Sequence, residues 1–240
     1  MSTPLNPKKT ALLLLDLQNG FLQMLSPDVS ASVIENAASA ITIARENGVQ
    51  VAYIRAALNE NEIQEVPDRT SFPETLRVPP EPFDQKDYDI TCQNPRICPK
   101  TNRESCYLDN PVFSSFKNNK DMSAAIHPAA ESTQIHPKVA PKSGDFVHRK
   151  TRFGAFMKAP SDALLKDFAS HGIDTVIIGG VITSGALLSA VRQLADLDFQ
   201  LFVLEDCSAD HDPELHKVLC EKVFPSQAKV IRSTELESLF

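Results

Sequence analysis

The chain has 240 residues and a mass of 26.4 kDa, which is enough for one domain of ordinary size with a large core. With 24 Lys and Arg against 31 Asp and Glu, its formal net charge is −7 and its pI is near 5.4, which argues against nucleic acid or an anionic membrane as the main partner. The longest apolar stretch, residues 11–15, is too short to span a bilayer, and residues 1–10 lack the pattern of a secretory signal. We therefore expect a cytoplasmic protein.

The predicted elements begin with a β-α-β unit. Residues 9–16 contain a run of leucines that is apolar on both faces and ends at an acid, which is typical of a central strand in a parallel sheet. Apolar residues recur every three or four positions over residues 30–47, and Gly48 follows, so we predict a helix that ends there. Residues 49–55 are rich in β-branched side chains and predict the second strand, reached by a right-handed crossover.

A long segment without clear periodicity follows, over residues 57–120. A loop of this length inside a compact domain is usually functional, so we expect it to cover a site or to serve assembly. The segment contains Cys92, Cys98 and Cys106, whose spacings match no short zinc knuckle. Because the chain has five cysteines, an odd number, we expect free thiols rather than a disulfide framework, and the role of this insertion stays open.

Strands and helices alternate again from residue 145 to the C-terminus. Strands are predicted over residues 145–150, 175–178, 201–204 and 229–232, and helices over residues 162–171, 187–197 and 213–223. Ser161 is the predicted cap of the first of these helices, and Gly172 its predicted end. Residues 1–240 are therefore predicted to form a single α/β domain around a doubly wound, mainly parallel, Rossmann-like sheet of about six strands flanked by helices.

Polar residues follow several of the predicted strands, where ligands of such sheets bind. They are Asp16 and Gln18 after the first strand, Arg55 after the second, Lys150 and Arg152 after the third, and the turn at residues 180–186 after the fourth. A lysine beside a buried acid favours the charged carboxylate while burial opposes it, which is one way to tune a proton donor. The spacing alone leaves a purely structural ion pair equally open.

Three stretches resemble the isochorismatase-like hydrolase family, also called cysteine hydrolases, which includes nicotinamidases. They are LLLLDLQNGFL at 12–22, RKTRFGAF at 149–156 and IIGGVITSGALLSAVRQLADLDFQLFVLEDCSAD at 177–210. The resemblance implies a six-stranded parallel sheet, a catalytic Asp, Lys and Cys at its carboxyl edge, and assembly into homo-oligomers, either dimers or tetramers. Asp16 and Lys150 match the family's acid and lysine, whereas Ala186 stands at the position of its cysteine.

The same resemblance assigns residues to the substrate site and to an unusual turn. The implied substrate-binding residues are Gln18, Phe21, Arg55, Arg152, Phe156, Val181, Ile182 and Gly185. In relatives, the peptide bond at the Val181–Ile182 position is cis, which would aim the amides of residues 184–187 at a substrate carboxylate. Among the arginines, Arg55, Arg69 and Arg152 are the candidates for binding a carboxylate of the substrate.

Ala186 decides which chemistry of the family is open to this chain. Alanine has no nucleophilic atom, so a covalent amidase route through this position is disfavoured, and Cys207 in its acidic surroundings is a poor substitute. Isochorismatases similarly lack the thiol, and they cleave a vinyl ether by proton donation. We therefore predict acid-catalysed hydrolysis of the vinyl ether of isochorismate or a similar small carboxylate, with release of pyruvate. Asp16 would donate the proton, and Lys150 would hold a carboxylate or orient the acid.

Two alternatives stay open. The chain could be a nicotinamidase-like cysteine amidohydrolase whose cysteine is replaced by Ala186, or a binding homologue without turnover. The glutamine that isochorismatases carry shortly after the second strand is absent from YIRAAL at 53–58, so the exact substrate also stays open. The Asp-x-His and further His of a nicotinamidase metal site are absent as well, and we expect no catalytic metal and no cofactor. His211 and His216 are expected to have core or solvent roles.

Overall fold

Six parallel strands form one sheet in the computed structural model, which describes residues 4–65, 117, 119–156, 160 and 162–240. The strands are β1 (Thr10–Leu15), β2 (Gln50–Ala56), β3 (Phe146–Lys150), β4 (Thr175–Val181), β5 (Gln200–Ala209) and β6 (Lys229–Ile231). Their order is β3-β2-β1-β4-β5-β6, and every neighbouring pair is parallel. The predicted α/β class and the six-stranded, doubly wound sheet are confirmed.

Seven α-helices lie in the described part of the chain. They are α1 (Asn19–Leu22), α2 (Pro27–Glu46), α3 (Glu60–Gln64), α4 (Lys120–Ile126), α5 (Ala163–His171), α6 (Leu188–Ala195) and α7 (Pro213–Val218). A π-helical turn, Thr183–Leu187, precedes α6, and a second, Leu219–Val223, follows α7. None of the described helices is long and apolar enough to cross a membrane.

The sheet is buried on both faces, as the leucine run of β1 predicts. Leu12 and Leu14 belong to the core cluster on one face, together with the apolar side of α2. Leu13 and Leu15 belong to the cluster on the other face, with residues of α5 and α6. A strand with helices on both faces of its sheet has no side chains that face solvent, so its sequence is continuously apolar.

Helix α2 starts earlier than predicted. It begins at Pro27 rather than at residue 30, with Ser26 at the cap position. Proline suits the first turn of a helix because its fixed φ is already helical and the amide it lacks would have no partner there. The apolar periodicity starts only at Val33, so this first turn carries no periodic signal.

Two strands are longer than predicted. β4 continues through Gly179 and Gly180 to Val181, although glycine normally weakens a strand. β5 extends to Ala209 instead of ending at Leu204, so Cys207 lies inside the strand and not beyond it. The register between the two strands shifts between Ile178 and Gly180, which marks an irregularity where β5 carries extra residues.

The ends of the later helices also differ in detail. α5 begins at Ala163 with Asp162 at its cap position, while the predicted cap, Ser161, lies outside the described residues. Gly172 ends the helix with φ 65°, as predicted. The helices predicted over residues 187–197 and 213–223 each include a π-helical turn beside a shorter α-helix, because the apolar period does not distinguish the two helix types.

The chain divides into two units by its internal contacts. The larger unit consists of residues up to Leu58 and from Ala125 onwards, and it contains the sheet. The smaller unit is Asn59–Ala124. Within its described part, α3 begins with a capping box between Asn59 and Glu62. Cys92, Cys98, Cys106 and Arg69 lie outside the described residues, and the single-domain prediction with its 57–120 insertion stays a prediction.

Candidate functional site

The candidate site lies at the carboxyl edge of the sheet, where the strand order reverses. β1 and β4 are neighbours, and the strands that follow each of them are added in opposite directions. Ligands of doubly wound sheets bind in the crevice that this reversal leaves outside the strand ends. Asp16 directly follows β1, and the turn that contains Ala186 directly follows β4.

Asp16 leaves the end of β1 in a left-handed backbone conformation. Its φ is +53°, and its N–H donates to the carbonyl of Ile54 at 2.9 Å. Aspartate tolerates this region better than most residues because its short side chain can bond locally. The residue is only 3% exposed, so a carboxyl group is buried among the ends of the central strands.

Lys150 reaches Asp16 across an intervening strand. It is the last residue of β3, and β2 lies between β3 and β1. At the usual spacing of neighbouring strands, β3 and β1 are about 10 Å apart. Its Nζ lies 2.6 Å from Oδ2 of Asp16 and 3.1 Å from the carbonyl oxygen of Phe153, to which it also donates. Lys150 is 2% exposed, so the ammonium is held between these two acceptors away from solvent.

Burial raises the pKa of Asp16 above its ordinary value of 3.8. The charge of Lys150 and its hydrogen bond act in the opposite direction, but the loss of water around the carboxylate is the larger effect. The carboxyl group therefore has one oxygen, Oδ2, that is held by Lys150 and one, Oδ1, that is buried without a hydrogen-bond partner among the described residues.

The turn after β4 carries the position of Ala186. The Val181–Ile182 peptide bond is cis, in agreement with the resemblance. The N–H of Ser184 donates to Oδ2 of Asp210 at 2.7 Å, and the N–H of Gly185 donates to the carbonyl of Ile182 at 3.0 Å. Both amides are thus bonded to acceptors of the protein itself in this structure, and the prediction that the turn receives a substrate carboxylate stays a prediction.

His216 supports the same turn from α7. Its Nδ1 lies 2.8 Å from the hydroxyl oxygen of Thr183, which is fully buried. Burial lowers the pKa of His216, which favours the neutral imidazole at neutral pH. The predicted core role of this histidine fits these contacts, but spacing gave no sign of its partner because the two residues are far apart in the chain.

Gln18 and Arg55 are bonded to backbone groups beside the site. Nε2 of Gln18 donates to the carbonyls of Ala56 and Thr133, and its Oε1 accepts from the N–H of Ala56 at 2.6 Å. Nη1 of Arg55 donates to the carbonyls of Pro128 and Thr133. These contacts join the end of β2 to the segment around Thr133. The predicted contact of Gln18 and Arg55 with substrate stays a prediction.

The other residues assigned to substrate binding are distributed over both faces of the sheet. Phe21, Val181 and Ile182 pack in or against the cluster that includes α2, and Val181 is fully buried. Phe156 and Ala186 belong to the opposite cluster. Arg152 donates to the carbonyl of Thr151 at 2.7 Å. A Cβ added to Gly185 would lie 3.6 Å from the ring of Phe153, so this glycine faces the loop that follows Lys150.

The cysteines of the described residues are poor nucleophiles. Cys207 is fully buried, and burial raises its pKa well above the usual value, with nearby Asp206 adding to the effect. Burial also raises the pKa of Cys220 to about 12. Thiolates are the reactive form, so neither thiol is activated. Within the same part of the chain, no three His, Cys, Asp or Glu side chains are grouped as a metal site would require.

Sequence reasoning missed three residues that hold the site together: Phe153, Gln193 and Asp210. Phe153 contributes a carbonyl to Lys150, and Asp210 binds the amide of Ser184. Oε1 of Gln193 accepts from the amides of Ala155 and Phe156. A backbone carbonyl has no sequence signature, and the other two side chains act on residues more than twenty positions away. Only the three-dimensional structure brings them to the site.

Comparisons with known proteins identify the family. A sequence model of the isochorismatase domain matches residues 10–235. An isochorismatase family protein from Burkholderia thailandensis superposes with a TM-score of 0.65 at 17% identity, over 99% of this chain and 98% of that one. A cysteine hydrolase from Pseudomonas syringae pv. phaseolicola gives 0.69 at 15% identity, over 100% and 97%. N-carbamoylsarcosine amidase from Thermoplasma acidophilum gives 0.60 at 18% identity, over 94% and 96%. The chain belongs to the isochorismatase family of hydrolases.

Proposed function

We propose that the protein hydrolyses the vinyl ether of isochorismate, or of a similar small carboxylate, and releases pyruvate without a cysteine nucleophile. The observation that carries this proposal is the buried Asp16–Lys150 pair on the same sheet edge as a turn with alanine at position 186. The pair can supply a proton, whereas Ala186 cannot supply a nucleophile. Vinyl ether hydrolysis needs the first of these and not the second.

In this reaction the O–H of Asp16 donates its proton to the terminal methylene carbon of the enolpyruvyl group. The ether oxygen then shares its electrons with the adjacent carbon, and an oxocarbenium ion forms. Water adds to that carbon and loses a proton to the Asp16 carboxylate. In the collapse of the resulting hemiketal, its hydroxyl group loses a proton as the carbonyl of pyruvate forms. The bond from this carbon to the ring oxygen breaks, and that oxygen takes up a proton to become the ring alcohol.

The raised pKa of Asp16 supports its role as the acid. A carboxyl group must hold a proton before it can donate one, and burial raises the pKa of Asp16. Lys150 has the opposite function in the cycle. Its ammonium, 2.6 Å from Oδ2, stabilises the carboxylate that is left after proton donation. Burial and the charge of Lys150 together allow the Asp16 carboxyl group to release a proton and to take it back.

The cationic side chains at this edge support a carboxylate substrate. Arg55 and Arg149 are paired in register on β2 and β3, and burial together with the charge of Arg149 lowers the pKa of Arg55. Guanidinium groups are suited to carboxylate recognition, so the proposal includes a substrate that carries a carboxylate. Assembly into a homo-oligomer, with a small carboxylate as the only other partner, remains part of this proposal.

An amidase is the second candidate, since the fold is shared with N-carbamoylsarcosine amidase. That similarity is one of fold, and the amidase route needs a thiolate that Ala186 does not provide. The variant Ala186→Cys separates the two candidates. Hydrolysis of small amides by this variant, with iodoacetamide labelling at residue 186, would favour an amidase ancestry for the site over vinyl ether chemistry.

The direct experiment measures pyruvate released from isochorismate by purified wild-type protein and by Asp16→Asn. We expect turnover by the wild type and a loss of about 100-fold or more in the variant, because general acid catalysis commonly contributes that much. Circular dichroism shows whether the variant remains folded. Absence of pyruvate with the wild type would contradict the proposal, and thermal stabilisation by isochorismate without product would indicate a binding protein instead.

A further inference from the structure

A side chain from α6 holds the loop after β3 in place. Oε1 of Gln193 accepts hydrogen bonds from two consecutive backbone amides, those of Ala155 at 3.0 Å and Phe156 at 3.3 Å. The same side chain packs closely on Gly154, where an added Cβ would lie 2.6 Å from Nε2. Gln193 therefore contacts three consecutive residues of this loop.

The loop in turn positions Lys150. Phe153, next to Gly154, provides the carbonyl that accepts from Nζ at 3.1 Å. The ammonium has Asp16 as its other acceptor, at 2.6 Å. Because the lysine stem is flexible, the positions of these two acceptors help to fix the ammonium. The position of the Phe153 carbonyl therefore helps to determine where Nζ lies relative to Asp16.

Gln193 also links the loop after β3, which positions Lys150, to the turn after β4, which contains Ala186. Helix α6 starts directly after the turn Thr183–Leu187, so Gln193 is rigidly connected to the position of Ala186. The ring of Phe153 approaches Gly185 in that turn from the loop side. The hydrogen bonds of Gln193 and the approach of the Phe153 ring to Gly185 thus connect the turn after β4 to the loop after β3.

We propose that Gln193 is a positioning residue, which holds the Lys150 ammonium against Asp16 by anchoring the loop that carries the Phe153 carbonyl. The proposal rests on the proposed function only for its effect on turnover. Its effect on the Asp16–Lys150 pair is independent of any substrate. Loss of the anchor leaves the loop with two unpaired amides and allows the carbonyl of Phe153 to move away from Nζ.

The test compares Gln193→Leu, which removes the acceptor at similar size, with two controls. Gln193→Glu keeps an oxygen that can accept from both amides, and Arg192→Leu changes an exposed neighbour on the same helix. The first measurement is a carbon NMR titration of the Asp16 carboxyl group, assigned with Asp16→Asn. We expect Gln193→Leu to raise the pKa of Asp16 by about one unit, because the neighbouring charge is less firmly held. Both controls should titrate close to the wild type.

The second measurement is pyruvate release. We expect Gln193→Leu to lower kcat by about 10-fold to 100-fold with little change in KM, since a small displacement of a catalytic group commonly has that effect. An unchanged Asp16 titration in Gln193→Leu would overturn the proposal, whatever the activity. If the wild type shows no turnover, the proposed function fails while the titration still decides the role of Gln193. If Gln193→Leu does not fold, Gly154→Ala decides in its place, because the added Cβ pushes the amide of Gln193 away.

Discussion

At the residue scale, Asp16 makes the stability of the protein depend on pH. Its folded-state pKa is raised above the ordinary value of 3.8, so the folded chain binds this proton more tightly than the unfolded chain does. The contribution of Asp16 is fully present below about pH 4 and is lost as the pH rises through the raised pKa.

The variant Asp16→Asn removes this titration and so makes it measurable. We expect the free energy of unfolding of the wild type, relative to that of Asp16→Asn, to decrease as the pH rises above about 4. Urea denaturation at several pH values gives both quantities. Asp196→Asn, at an exposed site, is the control for loss of one carboxyl group. A difference that grows with pH would show instead that Lys150 lowers the pKa more than burial raises it.

At the element scale, the contact between β1 and β4 depends on Gly180. Its φ is +136°, and an added Cβ would lie 2.1 Å from the carbonyl oxygen of Leu15, the residue before Asp16. Gly180→Ala must therefore strain its own backbone and also push β1 away. We expect it to destabilise the protein by about 2–5 kcal/mol in urea denaturation.

A matched variant separates these two effects. Gly48 also has a positive φ, of +74°, but an added Cβ would meet no atom within 4 Å. Gly48→Ala should therefore cost only the conformational strain, about 1–2 kcal/mol. If Gly180→Ala costs no more than Gly48→Ala, the close approach of β4 to the end of β1 is not the reason for the glycine.

The elements also show how far the sequence predicts the structure. β1 was predictable because burial on both faces leaves a continuous apolar run, and the end of α5 because Gly172 can adopt a left-handed conformation. The extension of β5 was not predictable, because Glu205 and Asp206 interrupt the apolar pattern while the backbone remains in the strand. The local sequence pattern indicates which side chains are buried. Backbone pairing in a sheet can continue through residues whose side chains are not buried.

At the scale of the whole molecule, the alternation of strands and helices predicted the doubly wound sheet, and such a sheet predicts a site at the carboxyl ends of its strands. Asp16 and Lys150 are far apart in sequence, yet parallel strands bring their ends to one edge, so their proximity could be expected. Other contacts could not be expected from the sequence, since each depends on how a helix or loop packs onto that edge. They are the contacts of Gln193, Asp210 and His216.

The central claim is that the buried carboxyl group of Asp16 donates the proton in a reaction without a thiol nucleophile. The most direct test is the pH dependence of kcat for pyruvate release from isochorismate, measured from about pH 4 to about pH 9. We expect kcat to fall as the pH rises through a pKa above 3.8, and we expect Asp16→Asn to lack this decrease. A kcat that rises with pH, or the same decrease in Asp16→Asn, would contradict it.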